Sequence, residues 1–117
     1  MSSELHRRQY ARATVDIPVE FEIEGEPHPH FGTACDLGAG GMRLVTPVDV
    51  AARTVLNLRF RLQANDPEIR ARGHIVLSFF NRNERHFQHG IAFTALAADD
   101  RQAIEEYVKA RELGRRA

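Results

Sequence analysis

The residues best suited to chemistry in this sequence fall into two short motifs on either side of one clear strand pattern. An arginine cluster, Arg7-Arg8-Gln9-Tyr10-Ala11-Arg12, precedes a glycine-rich turn, Asp36-Leu37-Gly38-Ala39-Gly40-Gly41. Guanidinium groups pair with phosphates and with the O6/N7 edge of guanine, whereas a carboxylate accepts hydrogen bonds from the N1 and N2 donors of that base. Glycines let backbone N–H groups face a phosphate. Together the motifs predict a site for an anionic ligand that also carries hydrogen-bond donors, such as a guanine nucleotide.

Each motif also has an ordinary structural explanation. Arg7, Arg8 and Arg12 are compatible with a solvated basic tail, which is what most arginine runs near an N-terminus are. Asp36 is able to start the turn by accepting hydrogen bonds from backbone amides two residues further on. A tight hairpin requires the same glycines, and for Gly40 this explanation is as good as ligand binding. Only the combination of the two motifs favours a binding site.

Length and composition indicate one globular domain. The 117 residues carry 16 basic and 16 acidic side chains, so no overall field draws the protein to nucleic acid or to an anionic membrane. No apolar run is long enough to span a bilayer, and the first residues lack the apolar core of a signal peptide. The single cysteine, Cys35, permits no internal disulfide. We therefore expect a cytoplasmic protein.

Alternation of apolar and polar residues predicts strands along most of the chain. The clearest strand covers 15–24, and five others are expected at 31–35, 42–45, 56–62, 69–80 and 86–93. The period then changes, because Asp99 and Gln102 resemble a capping box and predict a helix over about 99–113 that ends before Gly114. The result is an all-β fold with one C-terminal helix, a small barrel or sandwich. Few apolar residues hold the segment 1–13, which is expected to be a flexible arm.

Other combinations of reactive residues carry less information. Cys35 lies within a strand and is interpreted as a small core residue rather than a nucleophile. The histidines form pairs on unrelated elements, which argues against a zinc site: His28 with His30, and His86 with His89. No Ser–His–Asp set, carboxylate pair or phosphate-binding loop is recognisable, so no enzyme is expected. Four phenylalanines are assigned to the core rather than to a stacking platform for single-stranded nucleic acid: Phe79, Phe80, Phe87 and Phe93.

The chain resembles the PilZ domain, a bacterial receptor module for cyclic di-GMP (c-di-GMP). Arg8 and Arg12 match the RxxxR motif of that family, and Asp36, Gly38 and Gly41 match its [DN]xSxxG motif in part. The similarity covers roughly residues 6–113. Three shorter segments add weaker support: Gly41-Met42-Arg43-Leu44, Gly73-His74-Ile75-Val76 and Gly90-Ile91-Ala92-Phe93.

The resemblance implies a six-stranded antiparallel β-barrel with a C-terminal helix over residues 14–114, preceded by the arginine arm of residues 1–13. It implies a stand-alone receptor whose only small-molecule ligand is c-di-GMP, with no other cofactor and no metal. The ligand-binding residues carried over from the family are Arg7, Arg8, Arg12, Asp36, Gly38 and Gly41.

The resemblance also suggests how such a receptor acts. Closure of the arm on the ligand would present a changed surface to an effector protein, with no contact to nucleic acid and no membrane insertion. An arginine at position 7 is similar to the family pattern associated with two intercalated ligand molecules. Gly38 stands where the family has serine, and this difference favours the alternative, a PilZ adaptor that no longer binds nucleotide and acts through protein contacts alone.

Overall fold

The computed structural model describes residues 10–116 of the chain, so Arg7 and Arg8 lie outside the described residues. This part of the chain forms six strands followed by one helix. Their bounds are β1 (Arg12–Ile23), β2 (Pro29–Gly38), β3 (Gly41–Thr46), β4 (Val55–Phe60), β5 (Ile69–Asn81), β6 (His86–Leu96) and α1 (Ala98–Arg116).

The six strands close into one antiparallel barrel in the order β1-β2-β3-β6-β5-β4. Side chains of successive residues point to opposite faces of a strand, so the alternating pattern of the sequence places one set inside the barrel. That set includes the largest fully buried side chains: Phe21, Leu37, Met42, Leu44, Leu56, Leu58, Ile75 and Ile91. The predicted fold, a six-stranded barrel with one C-terminal helix, is confirmed.

Strand β1 begins at Arg12, before the segment 15–24 that shows the clearest alternation. Arg12 and Ala13 pair with Gly38 and Leu37 of β2, and Ala13 is buried. Buried and exposed residues alternate without a break from Ala13 to Val19, although the pairing of β1 with β2 shifts between Thr14 and Ile17, which marks a β-bulge. The last part of the expected arm is therefore a strand of the barrel.

Helix α1 covers one side of β1 and β2. Ile104 and Val108 are its fully buried contacts with the core. The helix begins at Ala98, so Asp99 lies inside the first turn, where its charge is favourable to the helix dipole, rather than at the N-cap. It also continues through Gly114 to Arg116, beyond the end that the sequence predicts. Within residues 10–116, no helix is long and apolar enough to cross a membrane.

The assignment of Phe79 and Phe80 to the core is wrong. These side chains are 49% and 48% exposed. The reason lies in the neighbouring strand, because β4 pairs with β5 only as far as His74 and leaves the end of β5 uncovered on that side. Phe93, in contrast, packs against the core as expected.

Candidate functional site

The two sequence motifs meet on the outside of the barrel, where β1 begins and β2 turns into β3. Arg12 lies opposite Gly38 across the β1–β2 pair, and Gly38 lies opposite Gly41 across the β2–β3 pair. The Arg12 Nη1 atom is 3.6 Å from the Asp36 Oδ2 atom, and the two side chains are 20% and 21% exposed. The structure therefore brings four of the predicted site residues together: Arg12, Asp36, Gly38 and Gly41.

A β-bulge aims Asp36 at this surface. The pairing of β2 with β3 shifts between Ala34 and Asp36, so Cys35 is the extra residue. Ala34 and Leu37 are both fully buried, which strict alternation would not permit for residues three apart. The bulge thus turns both Cys35 and Asp36 away from the core, and the carboxylate reaches Arg12.

Cys35 itself is a partly buried thiol with no role in this pair. Burial raises the pKa of Cys35, the positive charge of Arg43 lowers it, and the negative charge of Asp36 raises it, with burial the largest effect. A raised pKa keeps the sulfur protonated and poorly nucleophilic at neutral pH. Cys35 lies within β2 as expected, but its interpretation as a core residue is wrong, because the bulge turns it away from the core and leaves it only partly buried.

Arg43 adds a further cation beside the pair. It lies opposite Asp36 in the β2–β3 register and is half-buried, whereas its neighbours Met42 and Leu44 are fully buried. Arg43 therefore shares the outer face with Asp36. The sequence showed this residue only as part of a weak family match, and the register of the sheet is what brings it to the site.

The glycines of the turn allow close approach of neighbouring groups. A Cβ atom on Gly38 would lie 2.5 Å from the Ala11 carbonyl oxygen and 2.9 Å from the Arg12 Cγ atom. A Cβ atom on Gly41 would overlap the Ile91 carbonyl oxygen of β6. Neither glycine has a positive φ. Both are thus required by space rather than by backbone conformation.

Tyr10 and Arg101 complete the surface and were not recognised from the sequence. The Tyr10 ring covers Gly40, since a Cβ atom there would lie 2.9 Å from the Tyr10 Cδ2 atom. The Arg101 guanidinium carbon of α1 lies 5.3 Å from the centre of the same ring, and its Nη1 donates a hydrogen bond of 3.1 Å to the Ala39 carbonyl. We call these three residues, Tyr10, Gly40 and Arg101, the tyrosine clasp.

A second arginine of α1 holds β1 further along. Arg111 donates hydrogen bonds of 2.9 and 3.2 Å to the Thr14 carbonyl, and its guanidinium carbon lies 5.5 Å from the centre of the Tyr107 ring. The start of β1 is thus held at three successive points, by the clasp at Tyr10, by Asp36 at Arg12 and by Arg111 at Thr14. An aromatic residue between two arginines was the one sequence signal for the clasp; nothing in the sequence indicated Arg101.

Two of the histidines make contacts that belong to the fold. His89 is fully buried. Its Nδ1 atom accepts a hydrogen bond of 2.6 Å from the Ser78 hydroxyl, and its Nε2 atom donates one of 2.9 Å to the Val48 carbonyl. His30 stacks on Phe21, with ring centres 5.4 Å apart. Among residues 10–116, no group of three or more histidine, cysteine or acidic side chains is arranged to hold a metal ion.

A large concavity formed by described residues lies elsewhere on the barrel. It has a volume of about 530 Å³ and is bordered by β1, β4 and the loop after β4, with Phe31, Phe60 and Leu62 among its residues. It contains none of the predicted site residues. The predicted site residues thus lie outside this concavity.

The geometry is that of a β-barrel domain with a polar surface at the first strand and a glycine turn. Residues 6–110 match the PilZ domain. The chain belongs to the PilZ domain family, whose members are c-di-GMP receptors or adaptors rather than enzymes.

Solved structures show the same fold. The Bacillus subtilis inhibitor of motility (MotI/DgrA) superposes with a TM-score of 0.84 at 23% identity, over 95% of this chain and 54% of that one. The Klebsiella MrkH–c-di-GMP complex gives 0.74 at 16% identity, over 94% of this chain and 54% of that one. The PilZ domain of YcgR from Escherichia coli with c-di-GMP gives 0.69 at 10% identity, over 94% and 95%. The chain thus spans about half the length of MotI and of MrkH. Among curated proteins, none matches it in sequence.

Proposed function

We propose that this chain is a receptor for c-di-GMP that holds the nucleotide with Arg7, Arg8, Arg12 and Asp36 over the glycine turn. One observation carries the proposal: Arg12 and Asp36, from two motifs far apart in sequence, lie 3.6 Å apart at the turn of a chain that belongs to the PilZ family. Solved relatives of the same fold contain this ligand, namely YcgR and MrkH.

The roles of the two side chains follow from their chemistry. Arg12 offers a planar fork for a phosphate or for the O6/N7 edge of guanine, and Asp36 accepts from the N1 and N2 donors. Both are about one-fifth exposed, so their ion pair is partly solvated and contributes little to stability. Replacement of the Arg12–Asp36 contact by contacts to ligand groups therefore costs little free energy. Arg43, opposite Asp36, supplies further positive charge for a ligand that carries two phosphates.

The signal is proposed to pass through the segment before β1. Arg7 and Arg8 close on the ligand, and Arg7 stacks on a second, intercalated nucleotide. Tyr10 touches both the glycine turn and α1 through the clasp, so a change in that segment has a direct contact with the helix surface. The changed surface is read by an effector protein.

Isothermal titration with c-di-GMP tests the proposal. Arg12→Ala is expected to weaken binding by roughly ten- to hundredfold, because a charge-assisted contact is lost. Arg59→Ala is the matched control: Arg59 also pairs with carboxylates of a neighbouring strand, Glu20 and Glu22, but its partners lie beyond the bulge, towards the other end of β1. Equal curves for wild type and Arg12→Ala would remove Arg12 from the site.

The second candidate function is an adaptor that does not bind nucleotide. Gly38 favours it, because the space of the family's serine side chain is taken by the Ala11 carbonyl, with a Cβ distance of 2.5 Å. The same titration separates the candidates. A receptor gives a saturable isotherm, with two ligands per chain if Arg7 stacks on a second nucleotide; an adaptor gives no heat beyond dilution at any ligand concentration.

A further inference from the structure

The last part of β5 is an uncovered sheet edge. On the β4 side, the final backbone hydrogen bonds to β5 join Arg53 N to Ile75 O (2.9 Å) and Ile75 N to Thr54 O (3.0 Å). From residue 76 to residue 81, β5 pairs only with β6 among the described residues. A bulge at Val76, between Ile75 and Leu77, marks the point where the two neighbours separate. The N–H and C=O groups on the open side are available to another strand.

The side chains of this edge are apolar and exposed. Val76, Leu77, Phe79 and Phe80 are 56%, 62%, 49% and 48% exposed, and no residue from 76 to 81 carries a charge. Natural edge strands are normally protected by lysine, proline or an inward charge, since an unprotected apolar edge pairs with other strands. The rest of the surface is rich in charged residues, so an uncharged, apolar edge indicates that another strand pairs with it.

We propose that the β5 edge, residues 76–80, pairs in antiparallel fashion with the β5 edge of a second copy of this chain, about a two-fold axis at Ser78. In that register Leu77 of each copy lies opposite Phe79 of the other, twice across the axis, and Val76 lies opposite Phe80. The apolar pattern reads the same in both directions from Ser78, which is what an isologous contact requires. The inference does not depend on the proposed ligand.

Charge is consistent with a second copy as the occupant. Neither edge carries a charge, so the pairing places no like charges opposite each other. It also requires no complementary charge on the partner. The ends of the edge carry both signs: Arg82, Glu84 and Arg85 lie in the turn at the tip, whereas Arg53 and the Arg72–Glu24 pair lie beside the inner end. The two-fold arrangement places the tip of one copy near the inner end of the other, so charges of both signs meet there.

Sedimentation equilibrium of the full chain over a wide range of concentrations tests the pairing. We expect a reversible monomer–dimer equilibrium for the wild type. Phe79→Lys should raise the dimer dissociation constant about thirtyfold, because two apolar contacts are lost across the axis. Phe31→Lys is the matched control, since Phe31 is 64% exposed on β2, away from this edge; it should leave the dissociation constant unchanged.

Amide hydrogen exchange of the wild type provides an independent measurement that does not rely on a folded variant. Amides within residues 76–80 should exchange more slowly at high protein concentration than at low concentration, whereas other surface amides should not change. A monomer at every concentration would overturn the proposal and leave the edge to a strand of another protein. A dimer whose Phe79→Lys variant associates like the wild type, or whose β5 amides gain no protection, would overturn it equally.

Discussion

The two sides of the glycine turn meet different neighbours. On the barrel side, Gly41 lies against the Ile91 carbonyl of β6, a contact between two strands of the closed sheet. On the other side, Gly38 lies beneath the Ala11 carbonyl and Gly40 beneath the Tyr10 ring, both contacts with the chain as it enters β1. Within four positions, one glycine thus allows contact between two strands of the barrel, and two others allow contact with the chain that enters β1.

This difference separates the glycine that packs within the barrel from the two that contact the chain entering β1. The contact of Gly41 is part of the barrel and cannot change without loss of strand pairing. The contacts of Gly38 and Gly40 involve residues at the boundary of the barrel, where a ligand-dependent movement of the preceding segment would be transmitted. A motif match by itself assigns one role to all of these glycines, whereas their neighbours assign them different ones.

The largest expected effect tests the barrel side against the other side. Gly41→Ala should lower the free energy of unfolding by about 3 kcal/mol or more, because its Cβ would overlap a backbone atom that the sheet holds in place. Gly40→Ala should change it by no more than about 1 kcal/mol, since the Tyr10 ring is a side chain that can move and alanine also restricts the unfolded chain. Urea unfolding of both variants measures this. Equal losses would mean that the two sides do not differ.

Gly38→Ser should lower the free energy of unfolding by an amount between those expected for Gly40→Ala and Gly41→Ala. From the family motif alone, serine would restore a hydroxyl and strengthen ligand binding. The Ala11 carbonyl lies 2.5 Å from the position of the Cβ atom, so the chain entering β1 must shift. We expect a loss of about 1–3 kcal/mol in unfolding free energy and no gain in c-di-GMP affinity by titration. Tighter binding at unchanged stability would show that the start of β1 yields easily and that the missing hydroxyl matters.

The sequence predicted the barrel because alternation over long segments, such as 15–24, leaves few ways to bury one face. It also predicted that Arg12 and Asp36 belong to one site, through the family motifs. It did not predict the clasp, since Arg101 reaches the turn only after α1 packs on β1 and β2. The exposure of Phe79 was missed for the same kind of reason: strand periodicity does not reveal where a neighbouring strand ends.

Substitutions of Tyr10 and Tyr107 compare the tyrosine clasp with the contact that Arg111 makes with Thr14. Tyr10→Ala should weaken c-di-GMP binding about three- to tenfold, because the segment that carries the arginines loses the contact that orders its end. Tyr107→Ala should leave the affinity unchanged, because Tyr107 stacks with Arg111 within α1, which holds β1 at Thr14 rather than at the glycine turn. Tyr10→Phe should keep the wild-type affinity, since the ring face makes the contact. If both alanine variants bind like the wild type, the clasp has no part in binding.

The smallest effect is expected for the two arginines of α1. Arg101→Gln removes the cation above the Tyr10 ring and weakens the hydrogen bond to the Ala39 carbonyl, so affinity should fall about two- to fivefold. Arg111→Gln removes the same kind of stack and the hydrogen bonds to the Thr14 carbonyl, yet it leaves the turn untouched and should not change affinity. Both variants should lower thermal stability to a similar, small extent, because each frees one contact between α1 and the start of β1. Titration and thermal unfolding of the two variants side by side therefore separate positioning from stability. A similar drop in affinity for both would show that any loosening of α1 weakens the site, and that the clasp is one tether among several.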